Sequence, residues 1–546
     1  MTKINLKANP FYLTDEEIRW VEDTKNSMND QQKVGQLFCL MGGDYDIETL
    51  KHMVQDQGIG AILYRPAPSE EIQKNFQQLD QVASVPYLKA ANLEEGGSGG
   101  ISDGTLFGWP MTEAAANSEE IVEKFAMSCA KEGKRAGINW TFSPVSDLDL
   151  NSLNPITNVR SFGSEQSRVE SFTRKYVETV QKYGIAACAK HFPGDGVDFR
   201  DHHLHPTYNS LSADEWYESY GKIYQNMIDA GLLSVMVGHI VQPNVEMRKN
   251  PDLKFEDCLP GSMSKELLTG VLREDFGFNG VITTDATIMG GYCMAIARRD
   301  AIPASIMAGS DMLVFSTDFQ EDYGYMMDAL KDGRLSRERL EEAVTRILAL
   351  KAVTRRSYPE ADVDVRAAAE ECADHAVTLV KNIQDVLPVT KEHFPKIRLV
   401  LLGEDELFDG SVKDTAVSYL KNEGFYVEIY EPYKDDLHGT SGLPDDRLTL
   451  YLCNMPTRSN QTTIRISWCK KHALDSPRFV NEEKSIFISL SNPYHLQDVP
   501  RVRTYINCYS ATKALLTAAL DKILGKSEFK GVSPVDAFCG LPDTRL

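Results

Sequence analysis

The chain has no cysteine pair in a CxxC spacing. Its ten cysteines, at 39, 129, 188, 258, 293, 372, 453, 469, 508 and 539, stand singly. That spacing excludes a zinc knuckle and a dithiol redox centre, and scattered thiols in apolar surroundings read as reduced core residues of a reducing compartment. No stretch approaches 18 uninterrupted apolar residues, so a spanning helix is not expected. The opening MTKINLKANPFYLTDEE has no apolar h-region, so no secretory leader is read and a cytoplasmic location is expected. Positive charge is scarce: 58 lysines and arginines face 79 aspartates and glutamates, a formal net charge of −21. Such a balance argues against nucleic acid, an anionic membrane surface or a polyanion as partner, and it leaves a small neutral sugar or metabolite open. Solenoid-type repeats and low-complexity tracts are also missing. Neither GxGxxG nor GxxxxGK[ST] occurs. The one glycine-rich run, Glu94-Glu-Gly-Gly-Ser-Gly-Gly100, carries two carboxylates that would repel a phosphate, so no nucleotide and no other cofactor is expected.

What is present is an ordinary globular composition, 42% apolar and 25% charged, over 546 residues, enough for a large core and more than one domain. Short β-rich runs alternate with amphipathic stretches through the first 350 residues. Strands are expected at Gly60–Tyr64, Pro86–Asn92, Ile138–Phe142, Ala186–His191, Leu232–His239, Gly280–Asp285 and Met312–Phe315, with a possible first strand at Leu37–Met41. Helices are expected at Ser118–Ala136, Val169–Tyr183, Ala213–Ala230 and Ser264–Asp275. This alternation implies parallel β-α units, and eight of them suit a (β/α)8 barrel over 1–351; an open doubly wound sheet is the alternative. Residues 352–366, AVTRRSYPEADVDVR, read as a linker. A second α/β series over 367–546 has strands expected at Arg398–Glu404, Phe425–Tyr430, Leu448–Cys453, Ser485–Leu490 and Thr504–Cys508, then a helix at Thr512–Leu524. It suggests a smaller three-layer domain.

The apolar strand cores repeatedly end in polar residues: Asn92-Leu-Glu-Glu, Ser143-Pro-Val-Ser-Asp, Lys190-His191, His239 and Thr284-Asp285. In a barrel these ends share one rim, where catalytic groups sit. The densest segment is Lys190-His-Phe-Pro-Gly-Asp-Gly-Val-Asp-Phe-Arg-Asp-His-His-Leu-His-Pro206, with four of the eleven histidines. Its prolines and glycines make it a loop leaving the strand. Asp201 and His203 are two apart and share a side in an extended segment. A carboxylate beside an imidazole fixes its tautomer and raises its basicity, which suits a general acid/base. The same histidines, 202, 203 and 205, read as metal ligands are a poor fit to zinc spacings, so no metal is expected; a loop without a role is the plainer alternative. Asp285, directly after an apolar strand, is either a carboxylate at the barrel mouth suited to attack an anomeric carbon or a helix N-cap.

Jointly the motifs resemble glycoside hydrolase family 3, and within it the β-N-acetylglucosaminidase branch. Its KH[FI]PG-x-G-x4-D-[ST]-H signature stands here as Lys190-His-Phe-Pro-Gly-Asp-Gly196, four residues, then Asp201-His202-His203. Leu272-Arg-Glu-Asp-Phe-Gly-Phe-Asn-Gly-Val-Ile-Thr-Thr-Asp285 is similar to its nucleophile region, Asn154-Pro-Ile-Thr-Asn-Val-Arg160-Ser-Phe-Gly163 to its NP-x3-RSFG segment, and Ala308-Gly-Ser-Asp-Met-Leu313 to its AGADML strand. Ala376-Val-Thr-Leu-Val-Lys-Asn382, Leu387-Pro-Val and Gly531-Val-Ser-Pro-Val535 resemble the opening and close of its second domain.

The resemblance implies a (β/α)8 barrel followed by an α/β sandwich and a retaining two-step mechanism. It implies Asp285 as nucleophile, His203 with Asp201 as acid/base, and Arg160, Lys190 and His191 lining the sugar subsite. The substrate it implies is a small carbohydrate with a terminal β-linked N-acetylglucosamine. A β-glucosidase or β-xylosidase, a phosphate-using N-acetylglucosaminide phosphorylase and a non-catalytic sugar-binding protein are the alternatives. Three positions depart from the pattern. Leu93 and Ser98 replace the Asp and Arg of DQEGGR, with Glu94 or Asn92 as substitutes, and His202 replaces Ser or Thr.

Overall fold

The computed structural model describes residues 4–432, 446–470 and 472–546. Eight strands close into a parallel barrel: β1 Phe38–Met41, β2 Ala61–Leu63, β3 Leu88–Ala91, β4 Trp140–Thr141, β5 Ala186–Phe192, β6 Ser234–Val237, β7 Val281–Ala286 and β8 Met312–Val314. Each pairs with its neighbour in chain order, and β1 closes the ring against β8 with Phe38 opposite Leu313 and Cys39 opposite Val314. The strands are buried on both faces, which is why they are short apolar runs without alternation. Inside the ring the Trp140 indole donates to Ser234 Oγ at 2.8 Å, and that hydroxyl donates to the Ala187 carbonyl.

The helices outside the ring follow from amphipathic spacing. Helix Gln166–Lys182 buries Val169, Phe172, Thr173, Tyr176, Val177 and Val180, the i, i+3, i+4, i+7 set of one face. Two expected helices are not regular. Residues Tyr217–Gly221 form a π turn between helices Ala213–Trp216 and Lys222–Asp229, and Glu266–Asp275 is π throughout. A π turn holds more residues than the 3.6 of an α-helix. Trp216, Tyr220 and Tyr224, spaced by four, share one buried face across the turn.

At the foot of β8 the carboxylate of Asp311 is fully buried. Arg273 reaches it at 2.7 Å and Arg339 at 2.6 Å, while Arg346 lies 3.6 Å away and also pairs with Glu342. The carboxylate accepts the backbone N–H of Ile282 on β7, and Arg273 donates to the carbonyls of Phe278 and Gly280. Burial pushes the Asp311 carboxyl up, and the three guanidiniums outweigh it and hold it low.

The second compact unit runs from Val365 to Leu546 and also takes Leu106–Ile121 and Ser152–Glu165. Local composition leaves both of these segments in the barrel. They are joined to the second unit by pairing far along the chain, which no local pattern reveals. The Trp109 backbone N–H donates to Ser510 Oγ, Val532 N–H to the Ala115 carbonyl and Ser164 N–H to the Pro534 carbonyl. Gly163 sits at φ +107°, and a Cβ there would lie 2.5 Å from the Pro534 oxygen, so the glycine is required. Between the two units, helix Arg337–Thr354 ends and helix Val365–Ala376 begins inside the stretch read as a linker.

The sheet of this unit has six strands, β9 Thr378–Asn382, β10 Lys396–Gly403, β11 Tyr426–Ile429, β12 Arg447–Asn454, β13 Lys484–Ser489 and β14 Thr504–Asn507. Their order is β9-β14-β13-β12-β10-β11, with β9 antiparallel to β14 and the other pairs parallel. The edge strand β9 was not among the five expected. Its Thr-Leu-Val-Lys-Asn is too short and mixed to stand out beside the helix before it. One face carries Ile397, Leu399, Leu450, Ile486 and Ile506, the other Val400, Leu402, Tyr451, Phe487 and Tyr505, so both faces are packed. Among the described residues no helix is long and apolar enough to cross a membrane.

Removing the Asp311 carboxylate would leave buried guanidiniums without their counter-charge. Asp311→Ala is expected to cost about 3–5 kcal/mol of barrel stability. Equilibrium urea denaturation measures it, and a loss under 1 kcal/mol would show that the network does not hold the foot of the ring.

Candidate active site

Parallel closure places the carboxyl ends of all eight strands on one rim. The polar residues at five of those ends meet there, together with the loop that follows β5. This loop is tied down from several sides. Gly194 has φ +117°, and a Cβ on it would overlap the Tyr220 ring. The Trp216 indole donates to the Pro193 carbonyl at 2.7 Å, Tyr220 Oη donates to the Asp195 carbonyl, and Asn209 Nδ2 donates to the Gly194 carbonyl. The backbone N–H of Gly290, beyond β7, donates to the His203 carbonyl at 2.7 Å.

Asp285 is the penultimate residue of β7. Its Oδ1 accepts the Ala286 backbone N–H, and its Oδ2 lies 3.8 Å from both His191 Nε2 and His202 Nε2. Burial alone would raise its carboxyl. The imidazoles of His191, His202, His239 and His203 outweigh that and hold it well below the usual carboxylate range. Asp285 is therefore ionised at neutral pH.

His203 and Asp201 form a pair. Asp201 Oδ1 receives both the His203 backbone N–H at 2.8 Å and ring Nδ1–H at 2.7 Å. The Asp201 side chain is fully buried while that of His203 is 22% exposed, so the imidazole is held by a dry carboxylate and keeps Nε2 for another partner. His205, read beside it as a possible ligand, donates from Nδ1 to the Pro206 carbonyl instead.

Lys190 and His191 end β5 and are both buried. Lys190 Nζ pairs with Glu94 Oε1 and lies 3.4 Å from Asn92 Oδ1, which brings these three sequence candidates together. Leu93, between them, turns the other way into the barrel wall, close to Gly100 and Gly133, with its carbonyl accepting from Tyr176 Oη. The position matched to the Asp of DQEGGR is thus a core residue here, and Asn92 and Glu94 are the polar side chains that meet Lys190. Arg160 lies in the turn Asn158–Arg160 of the second compact unit, where its backbone N–H donates to the Thr157 carbonyl.

Three residues join the site to which the sequence assigns no catalytic or sugar-binding role. Asp147, six residues beyond β4, accepts His191 Nδ1–H at 2.7 Å, the His191 backbone N–H and the Asp195 backbone N–H. Its signal was the strand end Ser143-Pro-Val-Ser-Asp. His239 follows β6; it receives the Ser262 hydroxyl at Nδ1 and donates from Nε2 to the Ala286 carbonyl, each at 3.0 Å. Burial pushes it down to about 4, so it is neutral at pH 7. His202 is fully buried among His191, His203 and His239, and burial first, then these neighbours, hold it neutral as well. Two sets of side chains have the proximity of metal ligands, His191 with His202 and Asp285, and Asp201 with His202 and His203.

The depressed His239 fixes the sign of one pH effect. Its folded value lies below the unfolded value near 6.5, so its contribution to stability is present above about pH 6.5 and is lost as pH falls toward about 4. The melting temperature is expected to drop between pH 7 and pH 5, and His239→Gln should flatten part of that slope. An unchanged slope in the variant would place the titrating group elsewhere.

The sequence pattern of the glycosyl hydrolase family 3 N terminal domain matches residues 30–350. The β-N-acetylglucosaminidase/β-glucosidase of Cellulomonas fimi is 40% identical over 563 residues, spanning the whole of both chains. The solved structure of the β-glucoside phosphorylase BglX is 41% identical, with a TM-score of 0.93 over 99% of each chain. A family 3 β-N-acetylglucosaminidase from Paenibacillus sp. str. FPU-7, at 22% identity and a TM-score of 0.77 over 94% of this chain and 99% of its own, shares the fold. A barrel carrying an ionised strand-end aspartate opposite an Asp–His pair, and matched to this family over most of its length, makes this chain a member of glycosyl hydrolase family 3 and an enzyme of the glycosidic bond.

Proposed function

We propose that this chain is a retaining exo-β-glycosidase that cleaves a terminal β-linked sugar of gluco configuration, N-acetylglucosamine foremost. The observation that carries the reading is the pairing of an ionised Asp285 with a separate, carboxylate-oriented His203 on the same rim. Asp285 Oδ attacks the anomeric carbon while His203 Nε2–H protonates the departing glycosidic oxygen, giving a glycosyl-enzyme and a neutral imidazole. His203 then removes the proton of the acceptor as its oxygen attacks the same carbon and Asp285 leaves. Asp201 keeps the Nδ1–H tautomer and stabilises the imidazolium. Lys190, His191, Asn92 and Glu94 take the sugar hydroxyls. N-acetylglucosamine is supported by the Asp-x-His loop and by half of the name of the Cellulomonas fimi relative; its other half supports glucose.

One observation favours a second reading of the acceptor. After the first step the group facing the acceptor is a neutral imidazole, whereas a carboxylate there would repel an anion. Inorganic phosphate can then replace water and release a sugar 1-phosphate with its configuration retained. A relative of 40% identity solved with 2FGlc is named a β-glucoside phosphorylase, which supports the same reading.

His203 and Asp201 are expected to act as a unit, so His203→Ala, Asp201→Ala and the double variant should each lose a similar, large fraction of kcat. His203→Ala should keep much of its rate on dinitrophenyl glycosides and lose nearly all of it on alkyl glycosides. Equal losses on both leaving groups would remove His203 from the acid role.

Specificity is tested with nitrophenyl β-N-acetylglucosaminide, β-glucoside, β-N-acetylgalactosaminide and β-xyloside, with and without phosphate. The N-acetylglucosaminide is expected to exceed the glucoside by about 10- to 200-fold in kcat/KM, the size of one lost polar contact with some apolar contact. A xyloside faster than both would refute the glycone assignment. A rate and product unchanged by phosphate in NMR would leave hydrolysis alone.

A further inference from the structure

We propose that His191 Nε2, His202 Nε2 and Asp285 Oδ2, at the carboxyl ends of β5 and β7, form a binding site for a divalent transition-metal ion, Zn2+ foremost, and that the bound ion inhibits the enzyme by covering the nucleophile. The inhibition, though not the binding, rests on the reading of Asp285 given above.

Three features make this a built site. The ligand atoms already converge: both imidazole Nε2 atoms lie 3.8 Å from the one Asp285 oxygen, and all three atoms lie within 4.8 Å of one another. A four-coordinate ion with bonds of about 2.0 Å separates its ligands by about 3.3 Å, so closing on it takes roughly half an ångström of side-chain movement. The second shell is in place. His191 Nδ1 is bonded to Asp147 Oδ2 at 2.7 Å, the carboxylate–histidine arrangement that fixes a ligand's tautomer with its other nitrogen free. His202, finally, is fully buried and neither ring nitrogen has a hydrogen-bond partner among the described residues. The 3.8 Å gap to Asp285 is too long for a hydrogen bond and suits an ion lying between the two atoms. Imidazole and carboxylate together select Zn2+, Cu2+ or Ni2+ over Mg2+ or Ca2+.

The alternative set, Asp201 with His202 and His203, is less suitable because Asp201 Oδ1 is already engaged by both N–H groups of His203. His202 is also the residue that departs from the Ser or Thr of the family pattern.

The test uses full-length enzyme freed of metal with EDTA. Zn2+ is expected to inhibit competitively against the glycoside and EDTA to reverse it. Co2+ as a probe should give the visible bands of a four-coordinate ion at one per chain. His202→Ser and His202→Gln should weaken Zn2+ by about 10-fold or more, and Asp147→Asn by about 10- to 100-fold. Zn2+ should raise the melting temperature of the wild type and not of the His202 variants. Should His202→Ser fail to fold, the wild-type Co2+ spectrum and Asp147→Asn decide the matter. A six-coordinate Co2+ spectrum, or Zn2+ affinity equal in wild type and folded variants, overturns the site. Failure of the catalytic reading looks different: a fluorosugar that labels another carboxylate removes Asp285 as nucleophile while Zn2+ binding stands, and turnover that EDTA abolishes and Zn2+ restores replaces inhibition by metal dependence.

Discussion

Closure of the eight-stranded ring is the constraint on which the rest of the barrel depends. Each strand is hydrogen-bonded on both sides, and all run the same way, so every carboxyl end faces one rim and every amino end the other. The opposite rim carries the countervailing charge cluster, where Asp311 gathers Arg273, Arg339 and Arg346 and ties the starts of β7 and β8 to the last barrel helix. Chemistry and stability are thereby separated by the length of a strand. The charged groups, which would be costly inside the ring, stand at its two ends.

The active rim is organised by buried carboxylates that each accept several N–H groups. Asp147 holds the side chain and backbone of His191 and the backbone of Asp195, which joins β4, β5 and the loop in one contact set. Asp201 does the same for His203. These acceptors decide which imidazole nitrogen is free and where it points. His202 and His239 have no solvent, and burial holds both neutral; the His203 side chain is partly open and paired with Asp201. Asp285 sits among them as the anion.

Around this centre the subsite differs from the family pattern in a physically definite way. Leu93 contributes apolar packing to the wall, and Lys190 is answered by Glu94 and Asn92. A buried lysine needs such a counter-charge, and Glu94 supplies it.

Much of this was legible in the sequence because strand period, strand ends and loop composition are local properties. All eight barrel strands were located, β1 among them, within two residues of their observed ends, and the pairing of Asp201 with His203 follows from their spacing. The order Lys190-His191 before a proline- and glycine-rich loop likewise marks a strand end by composition alone. Other features depend on atoms far apart in the chain. The contact of Asp147 with His191, the turning of Leu93 into the wall, the approach of His202 to Asp285 and the transfer of Leu106–Ile121 and Ser152–Glu165 to the second unit have no local signature. A residue's identity sets what it can bond to. Which nitrogen is free, which carboxylate is dry and which oxygen faces another group are set by distances that exist only once the ring has closed.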